Sequence, residues 1–245
     1  YKDRPFSVCM ERWMSYGELD ALSKALGAWL QSRGLEPGAR VAIMLPNVPQ
    51  FAVTMCGVLR AGYTCVNVNP LYTARELEHQ LKDSGATAIV ILENFATTLE
   101  QVIERTPVKH VVVTSMGDLL GGLYGAWITL AVRHLAKMVP PYKLPLSEGR
   151  TVTPFPQVIA EGRGRTLGPD QSTLDSVAFL QYTGGTTGLS KGAVLTHRNI
   201  VAAALQAEAW FTPALARAGD LAKVNSIAAL PLYHIFALTL CLLAI

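Results

Sequence analysis

The sequence predicts an α/β protein in which helices cover both faces of a mainly parallel sheet. Short, continuous apolar runs of strand length alternate with longer segments of helical periodicity over the first 114 residues. The helical segments open on capping signals, and the composition, 50% apolar and 16% charged, is that of a globular protein. Because parallel strands need crossover connections, the intervening helices would supply them.

The individual elements follow from local signals. Two capping boxes, Ser15-x-x-Glu18 and Thr73-x-x-Glu76, predict the starts of two amphipathic helices. Asn47 is expected to cap a further helix, whose apolar face follows it. Strands are predicted over residues 41–45, 65–68, 88–92, 110–113, 177–181 and 193–196, and another helix over 95–105.

Residues 115–172 interrupt this alternation with six prolines and are predicted to be a connection or insertion. Part of it, residues 119–143, is predicted to be a basic amphipathic helix. Its apolar and aromatic side chains recur at helical spacing, while Thr129, Arg133 and Lys137 form a separate strip. Two interpretations are open: the helix packs on the sheet with its basic strip in water, or it lies on a membrane interface or a partner surface.

The net charge of +3 has a local origin, because Arg133, Lys137 and Lys143 are the only charged residues between Asp118 and Glu148. The rest of the chain has 18 basic and 18 acidic residues, a balance that argues against a nucleic-acid partner. The four cysteines form no C-x-x-C pair, which predicts free thiols in a reducing compartment, the cytoplasm.

Two uncharged runs, over 41–59 and 224–245, are long enough to suggest membrane spans. Each contains proline and amide residues, so we interpret each as a buried strand, a break and a buried helix. No signal-peptide pattern opens the chain. The chain starts without a methionine and stops within an apolar run, so we expect it to be a piece of a longer protein.

The most informative segment follows the strand predicted over 177–181. Residues 182–192 read Tyr-Thr-Gly-Gly-Thr-Thr-Gly-Leu-Ser-Lys-Gly. The glycines allow close backbone approach, the hydroxyls donate hydrogen bonds and Lys191 adds a cation, a combination that suits a polyphosphate with a magnesium ion. A flexible surface hairpin is the alternative, whereas the P-loop pattern G-x-x-x-x-G-K-[ST] finds no match.

Residues 182–199 resemble the phosphate-loop signature of the adenylate-forming superfamily, which includes acyl-CoA synthetases, luciferases and peptide-synthetase adenylation domains. Within it, the chain is most similar to bacterial long-chain fatty acyl-CoA ligases over nearly its whole length. It departs from the superfamily pattern at Gly184, where serine is common, and at Ser190, where proline usually precedes the lysine. Further similar pieces lie at residues 14–19, 42–51, 57–73 and 230–239.

The resemblance implies the N-terminal domain of the adenylate-forming fold, truncated before its sheets and C-terminal domain are complete. The expected parts are a first α/β subdomain over 1–114, the connection over 115–172, and the incomplete start of a nucleotide-binding subdomain over 173–245. The family's metal-binding glutamate, ribose-binding aspartate and C-terminal lysine are not found before Ile245. This chain alone is therefore expected to be inactive.

Such enzymes activate a carboxylate with Mg·ATP and pass the acyl group to coenzyme A, so the resemblance implies ATP, Mg²⁺ and coenzyme A, with a fatty acid as substrate. It implies catalytic roles for Lys191 and His234 and a position near the metal for Thr183. Tyr233, His234 and Leu238 would line the acyl pocket, with Leu238 where some relatives have an aromatic gate. Nucleotide contacts are implied for Tyr182, Thr183, Gly184, Gly185, Thr186, Thr187, Gly188, Ser190, Lys191, Gly192 and Ile235.

Other functions stay open. Another adenylate-forming enzyme, such as an aryl or medium-chain acyl-CoA ligase or an adenylation domain, would share the loop, and a non-catalytic module would bind ATP without releasing AMP. From the residues alone, His234 could equally be a buried structural histidine. A homodimer, and contact of residues 119–143 with the inner face of the cytoplasmic membrane, are compatible with the sequence.

Overall fold

The computed structural model describes residues 1–146, 149–183, 190–217 and 225–243. Its strands are β1 (Pro5–Cys9), β2 (Arg12–Ser15), β3 (Arg40–Met44), β4 (Thr64–Asn67), β5 (Ala88–Leu92), β6 (His110–Thr114), β7 (Thr151–Pro154), β8 (Val177–Thr183) and β9 (Lys191–Thr196). Its α-helices are α1 (Tyr16–Gln31), α2 (Pro49–Arg60), α3 (Ala74–Ser84), α4 (Ala96–Glu100), α5 (Gly122–Leu130), α6 (Phe155–Arg163), α7 (His197–Arg217) and α8 (Ile235–Ala237).

Seven of the strands in these ranges form one sheet in the order β7-β6-β5-β3-β4-β8-β9. Each neighbouring pair is parallel except β8 and β9, which are antiparallel. Strands β1 and β2 form a separate antiparallel hairpin. The predicted α/β class with a mainly parallel sheet is therefore confirmed.

Alternate side chains of β3 enter two separate hydrophobic cores. Val41 belongs to the cluster that contains Trp29 of α1 and Phe155 of α6, whereas Ala42 belongs to the cluster that contains Leu77 of α3. Since successive side chains of a strand point to opposite faces, α1 and α6 cover one face of the sheet and α3 the other. Both faces are buried, as the continuous apolar runs predicted.

Both predicted capping boxes are present. Ser15 Oγ accepts a hydrogen bond from the Glu18 N–H at 3.1 Å, and Glu18 Oε2 accepts one from the Ser15 N–H at 2.9 Å. Thr73 and Glu76 make the same reciprocal pair at the start of α3. These local signals act through the backbone of a single turn, so sequence spacing alone identifies them.

The prediction that Asn47 caps a helix was wrong. Val48 occupies the N-cap of α2 without a side-chain hydrogen bond, and Pro49 is the first helical residue. The Asn47 side chain bonds instead to backbone groups of Ala228, Leu230 and Leu232. The Asn47 side chain therefore makes a tertiary contact in place of the helix cap that the local pattern predicted.

Residues 95–105 do not form the single helix that was predicted. The 3₁₀ turns Glu93–Phe95 and Ile103–Arg105 flank the short α4. The break lies at Val102, whose φ of −127° is outside the helical region. This break in the helix allows the side chains of Val102 and Ile103 both to be buried in the core that α3 covers.

The strand predicted within 224–245 is also absent from the described residues, since 225–230 are irregular and exposed. Asn47 takes the carbonyl oxygens of Ala228 and Leu230, which a strand would need for its ladder. Helix α8 and a π-helical turn, Leu238–Leu243, follow. No helix in the described ranges is both long enough and apolar enough to cross a bilayer.

Residues 115–172 contribute to the main sheet, where no strand was predicted. Strand β7 pairs in parallel with β6, and α6 packs against α1. The helix predicted over 119–143 is shorter than expected: α5 continues into a π-helical turn, Ala131–Leu135, and residues 136–143 are not helical. The division into parts over 1–114, 115–172 and 173–245 stays a prediction.

Helix α1 contacts its neighbours through glycines. A Cβ added to Gly57 of α2 would lie 2.9 Å from the Ser23 carbonyl oxygen, and one added to Gly162 of α6 would lie 2.0 Å from the Ala25 carbonyl oxygen. Real side chains do not approach a backbone so closely, so only glycine permits this helix spacing.

We expect Gly162→Ala to lower the free energy of unfolding by about 1–3 kcal/mol, because α6 must move away from α1. The matched control is Gly164→Ala, where the nearest atom to the added Cβ would be the Glu161 carbonyl oxygen at 3.7 Å. Urea denaturation compares the two variants. Equal midpoints would contradict the close contact between α1 and α6.

Candidate active site

The phosphate-loop signature occupies the antiparallel hairpin of β8 and β9. Tyr182 pairs in register with Gly192, and Thr183 with Lys191. Thr183 and Lys191 are both exposed. Because directly opposed residues of antiparallel strands place their side chains on one face, the Thr183 hydroxyl and the Lys191 ammonium leave the hairpin together. The predicted phosphate contacts Gly184, Gly185, Thr186, Thr187 and Gly188 lie outside the described residues.

Tyr182 fixes the β8 side of this hairpin. Its hydroxyl donates a 2.5 Å hydrogen bond to Asp83 Oδ2 on α3. Burial, together with the Asp83 carboxylate, raises the pKa of Tyr182 well above its ordinary value. A Cβ on Gly192 would lie 2.9 Å from the Tyr182 ring, so the structure gives that glycine a packing role opposite the ring.

The β9 side of the hairpin is held at Ser190. The His79 ring donates from Nε2 to the Ser190 carbonyl oxygen at 3.0 Å. Tyr72 also interacts with Ser190: burial raises the pKa of Tyr72, and its hydrogen bond with Ser190 opposes that rise. Helix α3 therefore supports both ends of the phosphate loop, through Asp83 at one end and His79 at the other.

Sequence reasoning missed Tyr72, His79 and Asp83. His79 and Asp83 are four residues apart on α3, so they share one face of that helix. That spacing was a usable signal for a polar contact. The partners, Ser190 and Tyr182, are about a hundred residues away in sequence, with separations of 111 and 99.

The second part of the site is the turn that carries Tyr233 and His234. Gln181 Nε2, on β8, donates to the Tyr233 carbonyl oxygen at 3.1 Å. His234 is exposed and is the N-cap residue of α8, where its Nδ1 accepts from the Phe236 N–H at 3.4 Å. The alternative of a buried histidine is therefore wrong. Ile235 is half-buried beside it.

Leu238 has a different environment. It is fully buried and belongs to the hydrophobic cluster of α1 and α2. The structure thus places His234 at the surface, Tyr233 half-buried against the core and Leu238 within the core. Its predicted place in the acyl pocket stays a prediction.

These features converge on one edge of the sheet. β4 and β8 are adjacent and parallel, so the carboxyl ends of both strands lie at the edge from which the hairpin loop leaves. In open α/β sheets, ligands bind at that edge. A Gly- and Thr-rich hairpin with an exposed threonine and lysine at that edge, together with the exposed His234, is the arrangement that the sequence predicted for an adenylate-forming enzyme domain.

Comparison with known proteins agrees with this class. The family model described as "AMP-binding enzyme" matches residues 1–245, the whole chain. The chain therefore belongs to the AMP-binding enzyme family.

Curated relatives within that family are named long-chain-fatty-acid–CoA ligases. One from Yersinia pestis is 49% identical over all of this chain, and one from Haemophilus influenzae is 47% identical over 99% of it. The chain spans 42% of the length of each of these relatives. A crystal structure titled as a long-chain-fatty-acid-CoA ligase from Archaeoglobus fulgidus matches 99% of this chain and 41% of its own, with a TM-score of 0.64 and 24% identity. That likeness shows the fold.

We expect Tyr182→Phe to lower the free energy of unfolding by about 1 kcal/mol at pH 8, because the hydrogen bond to Asp83 is lost. The raised pKa of Tyr182 means that this stabilisation is complete below the unfolded value of about 10 and is lost as the pH rises through the folded value. The deficit of the variant should therefore shrink above pH 10.

Urea denaturation between pH 8 and pH 11 measures this difference. Tyr124→Phe, at an exposed position, is the control, because it removes a phenol hydroxyl but leaves the hydrogen bond to Asp83 in place. A deficit of Tyr182→Phe that stays constant across the range would contradict the assignment.

Proposed function

We propose that the protein carrying this chain is an acid–thiol ligase that converts a long-chain fatty acid to its coenzyme A thioester. The observation that carries the proposal is the Thr183 and Lys191 pair at the mouth of the Gly- and Thr-rich loop. The names of the relatives from Yersinia pestis and Haemophilus influenzae support the long-chain substrate class. Those relatives are longer than this chain, and we expect the chain alone to form no acyl-adenylate.

In the proposed first step, a carboxylate oxygen of the fatty acid attacks the α-phosphorus of ATP. The bond from that phosphorus to its bridging oxygen breaks, pyrophosphate leaves and acyl-AMP forms. Two anions must meet, so Lys191 would reduce their repulsion and stabilise the charge on the departing pyrophosphate. The hydroxyls of Thr183, Thr186 and Thr187 and the loop amides would hold the phosphates.

Magnesium fits this donor set, because the exposed Thr183 hydroxyl is a hard oxygen ligand next to the proposed phosphate position. The ion would neutralise phosphate charge. On the acyl side, His234 would donate from Nε2 to the reacting carboxylate, with Tyr233 and Ile235 lining the pocket. In the second step the coenzyme A thiol gives its proton to water, its sulfur attacks the acyl carbon, and AMP leaves with the electron pair of the broken carbon–oxygen bond.

The test is formation of AMP and palmitoyl-CoA from palmitate, ATP, Mg²⁺ and coenzyme A by the full-length protein that carries this sequence. His234→Ala should lower kcat by about 10²-fold, as expected for loss of a hydrogen-bond donor to the reacting group. Gln101→Ala, at the exposed C-cap of α4, is the control and should keep the wild-type rate.

The outcomes separate the rival functions. Activity with an aryl or medium-chain acid and none with palmitate would replace the substrate class while keeping the adenylate-forming chemistry. ATP binding with no AMP release for any acid would indicate a non-catalytic module and overturn the ligase.

We propose further that the surface of α5 and its π-helical turn docks on the inner face of the cytoplasmic membrane, which would make the protein peripheral and cytoplasmic. The supporting observation is that polar side chains of this helix bond to the protein, while several of its apolar side chains are exposed. Two of the three residues in its predicted strip bond to the protein: Thr129 hydrogen-bonds to Ser115 at 3.1 Å, and Arg133 pairs with Glu93 at 2.6 Å, whereas Lys137 is exposed. Glu93 is 1% exposed, and hydrogen bonding to its carboxylate raises the pKa of Arg133. Exposed apolar side chains are Leu123, Tyr124, Trp127, Leu130, Leu135 and Met138.

The charges around this apolar surface select its partner. Residues 119–147 contain no acidic residue. Because Arg133 is paired with Glu93, Lys137 and Lys143 are the remaining cations of this stretch. A surface with aromatic and aliphatic side chains beside lysines matches an anionic lipid bilayer. Both interpretations from the sequence put the basic strip on the side of the helix away from the protein, whereas Arg133 pairs with the buried Glu93 carboxylate.

We expect the protein to float with vesicles of phosphatidylcholine and phosphatidylglycerol, and the double change Leu123→Ser with Trp127→Ser to abolish flotation. The control is Trp210→Ser on α7, because Trp210 is more exposed, at 82% against 57% for Trp127. Lys137→Glu with Lys143→Glu should weaken binding to the anionic vesicles only. A stable homodimer that requires Leu123 and Trp127, with no flotation, would assign this surface to a second copy and overturn the membrane proposal.

A further inference from the structure

Asn47 is bound by a distant segment of the chain through every polar function of its amide. Its Nδ2 donates to the carbonyl oxygens of Ala228 at 2.8 Å and Leu230 at 2.9 Å. Its Oδ1 accepts from the Leu232 N–H at 2.8 Å. Only an amide offers two donors and an acceptor in this arrangement, since a carboxylate has no donor. Asn47 thus specifies the path of the chain just before Tyr233 and His234.

A chain of buried amides holds the same turn from the sheet side. Gln80 on α3 donates to the Asn67 carbonyl oxygen at 2.8 Å, and Asn67 Nδ2 donates to Gln181 Oε1 at 3.0 Å. Gln181 Nε2 then donates to the Tyr233 carbonyl oxygen at 3.1 Å. The three amide side chains belong to residues that are 0%, 3% and 5% exposed, in that order. Burial makes each of these bonds costly to lose.

The hydrogen bonds within the turn select one tautomer of His234. The backbone N–H of His234 donates to the Pro231 carbonyl oxygen at 2.9 Å, and the ring Nδ1 of His234 accepts from the backbone N–H of Phe236. An Nδ1 that accepts cannot carry the proton, so the neutral ring keeps its hydrogen on Nε2. Nε2 is the atom that donates to the reacting carboxylate in the proposed reaction.

We propose that Asn47 and Gln181 are positioning residues, which hold His234 at a fixed place relative to the phosphate loop. Gln181 is two residues before Thr183 on β8, so the strand that enters the phosphate loop also holds the histidine turn. Asn47 holds the other side of the turn from the loop that follows β3. Together, Asn47 and Gln181 would set the distance between the phosphate-binding and acyl-binding halves of the proposed active site. This inference rests on the proposed ligase function.

The test uses the full-length protein with Asn47→Asp and, separately, Gln181→Met. The first change turns two donors into an oxygen that faces two carbonyls, and the second removes the amide at similar volume. Each should lower kcat for palmitate-dependent AMP formation by about 10²-fold, the scale expected for a misplaced catalytic group, while KM for ATP stays close to the wild-type value. The control is Gln101→Glu, at the exposed C-cap of α4.

A double-mutant cycle separates positioning from a general structural role. In a His234→Ala background, Asn47→Asp and Gln181→Met should cause no further loss of kcat, because the group that they position is gone. Hydrogen exchange of residues 225–237 should be faster in both single variants than in the wild type. A further loss in the His234→Ala background as large as the loss in the wild-type background would overturn the proposal.

Failure of the proposed function has a different signature. A wild-type protein that forms no AMP with any acid would overturn the ligase reading, and with it the positioning of a reacting histidine. Faster exchange of 225–237 in the variants would then still show that the two amides hold the turn. An active wild-type protein whose turn exchanges at the same rate in the variants would overturn the positioning proposal alone.

Discussion

The candidate site depends on the register of three adjacent parallel strands. Ile43 of β3 pairs with Asn67 of β4, and Asn67 pairs with Gln181 of β8. Paired residues in neighbouring strands point to the same face, so this register brings the Asn67 and Gln181 side chains into contact. A slip of one residue would turn Gln181 to the opposite face and release the Tyr233 turn. The hydrophobic cores on both faces of the sheet prevent that slip.

The buried amides favour one precise geometry at some expense of stability. Asn67 and Gln80 each retain a side-chain oxygen without a protein partner, in a part of the sheet where apolar residues would pack without that penalty. Such groups are directional, whereas apolar contacts tolerate small displacements. Their presence between α3 and the histidine turn suits the proposed reaction, in which two substrates meet at one phosphorus atom.

Local signals in the sequence predicted both capping boxes and six strands, β3, β4, β5, β6, β8 and β9, but not β1, β2 or β7. They failed where a distant partner overrides the local pattern. Asn47 has the spacing of a helix cap, yet three backbone groups near residue 230 bind it. Arg133 has the spacing of an exposed strip, yet the buried Glu93 needs a cation. The spacing of His79 and Asp83 did not identify their partners, because nothing local to α3 indicates that Ser190 and Tyr182 lie beside it.

The membrane surface and the ligase site that we propose share one edge of the sheet. Thr114 and Ser115, at the carboxyl end of β6, contact Gln50 of α2 and Thr129 of α5. Helix α5 is thus attached at the edge from which the β8–β9 loop also leaves. A long-chain fatty acid is mostly in the bilayer, while ATP and coenzyme A are in water. A domain that docks through α5 would bring the edge where acyl transfer is proposed to the boundary between the two, so the apolar substrate need not cross water to reach the polar ones.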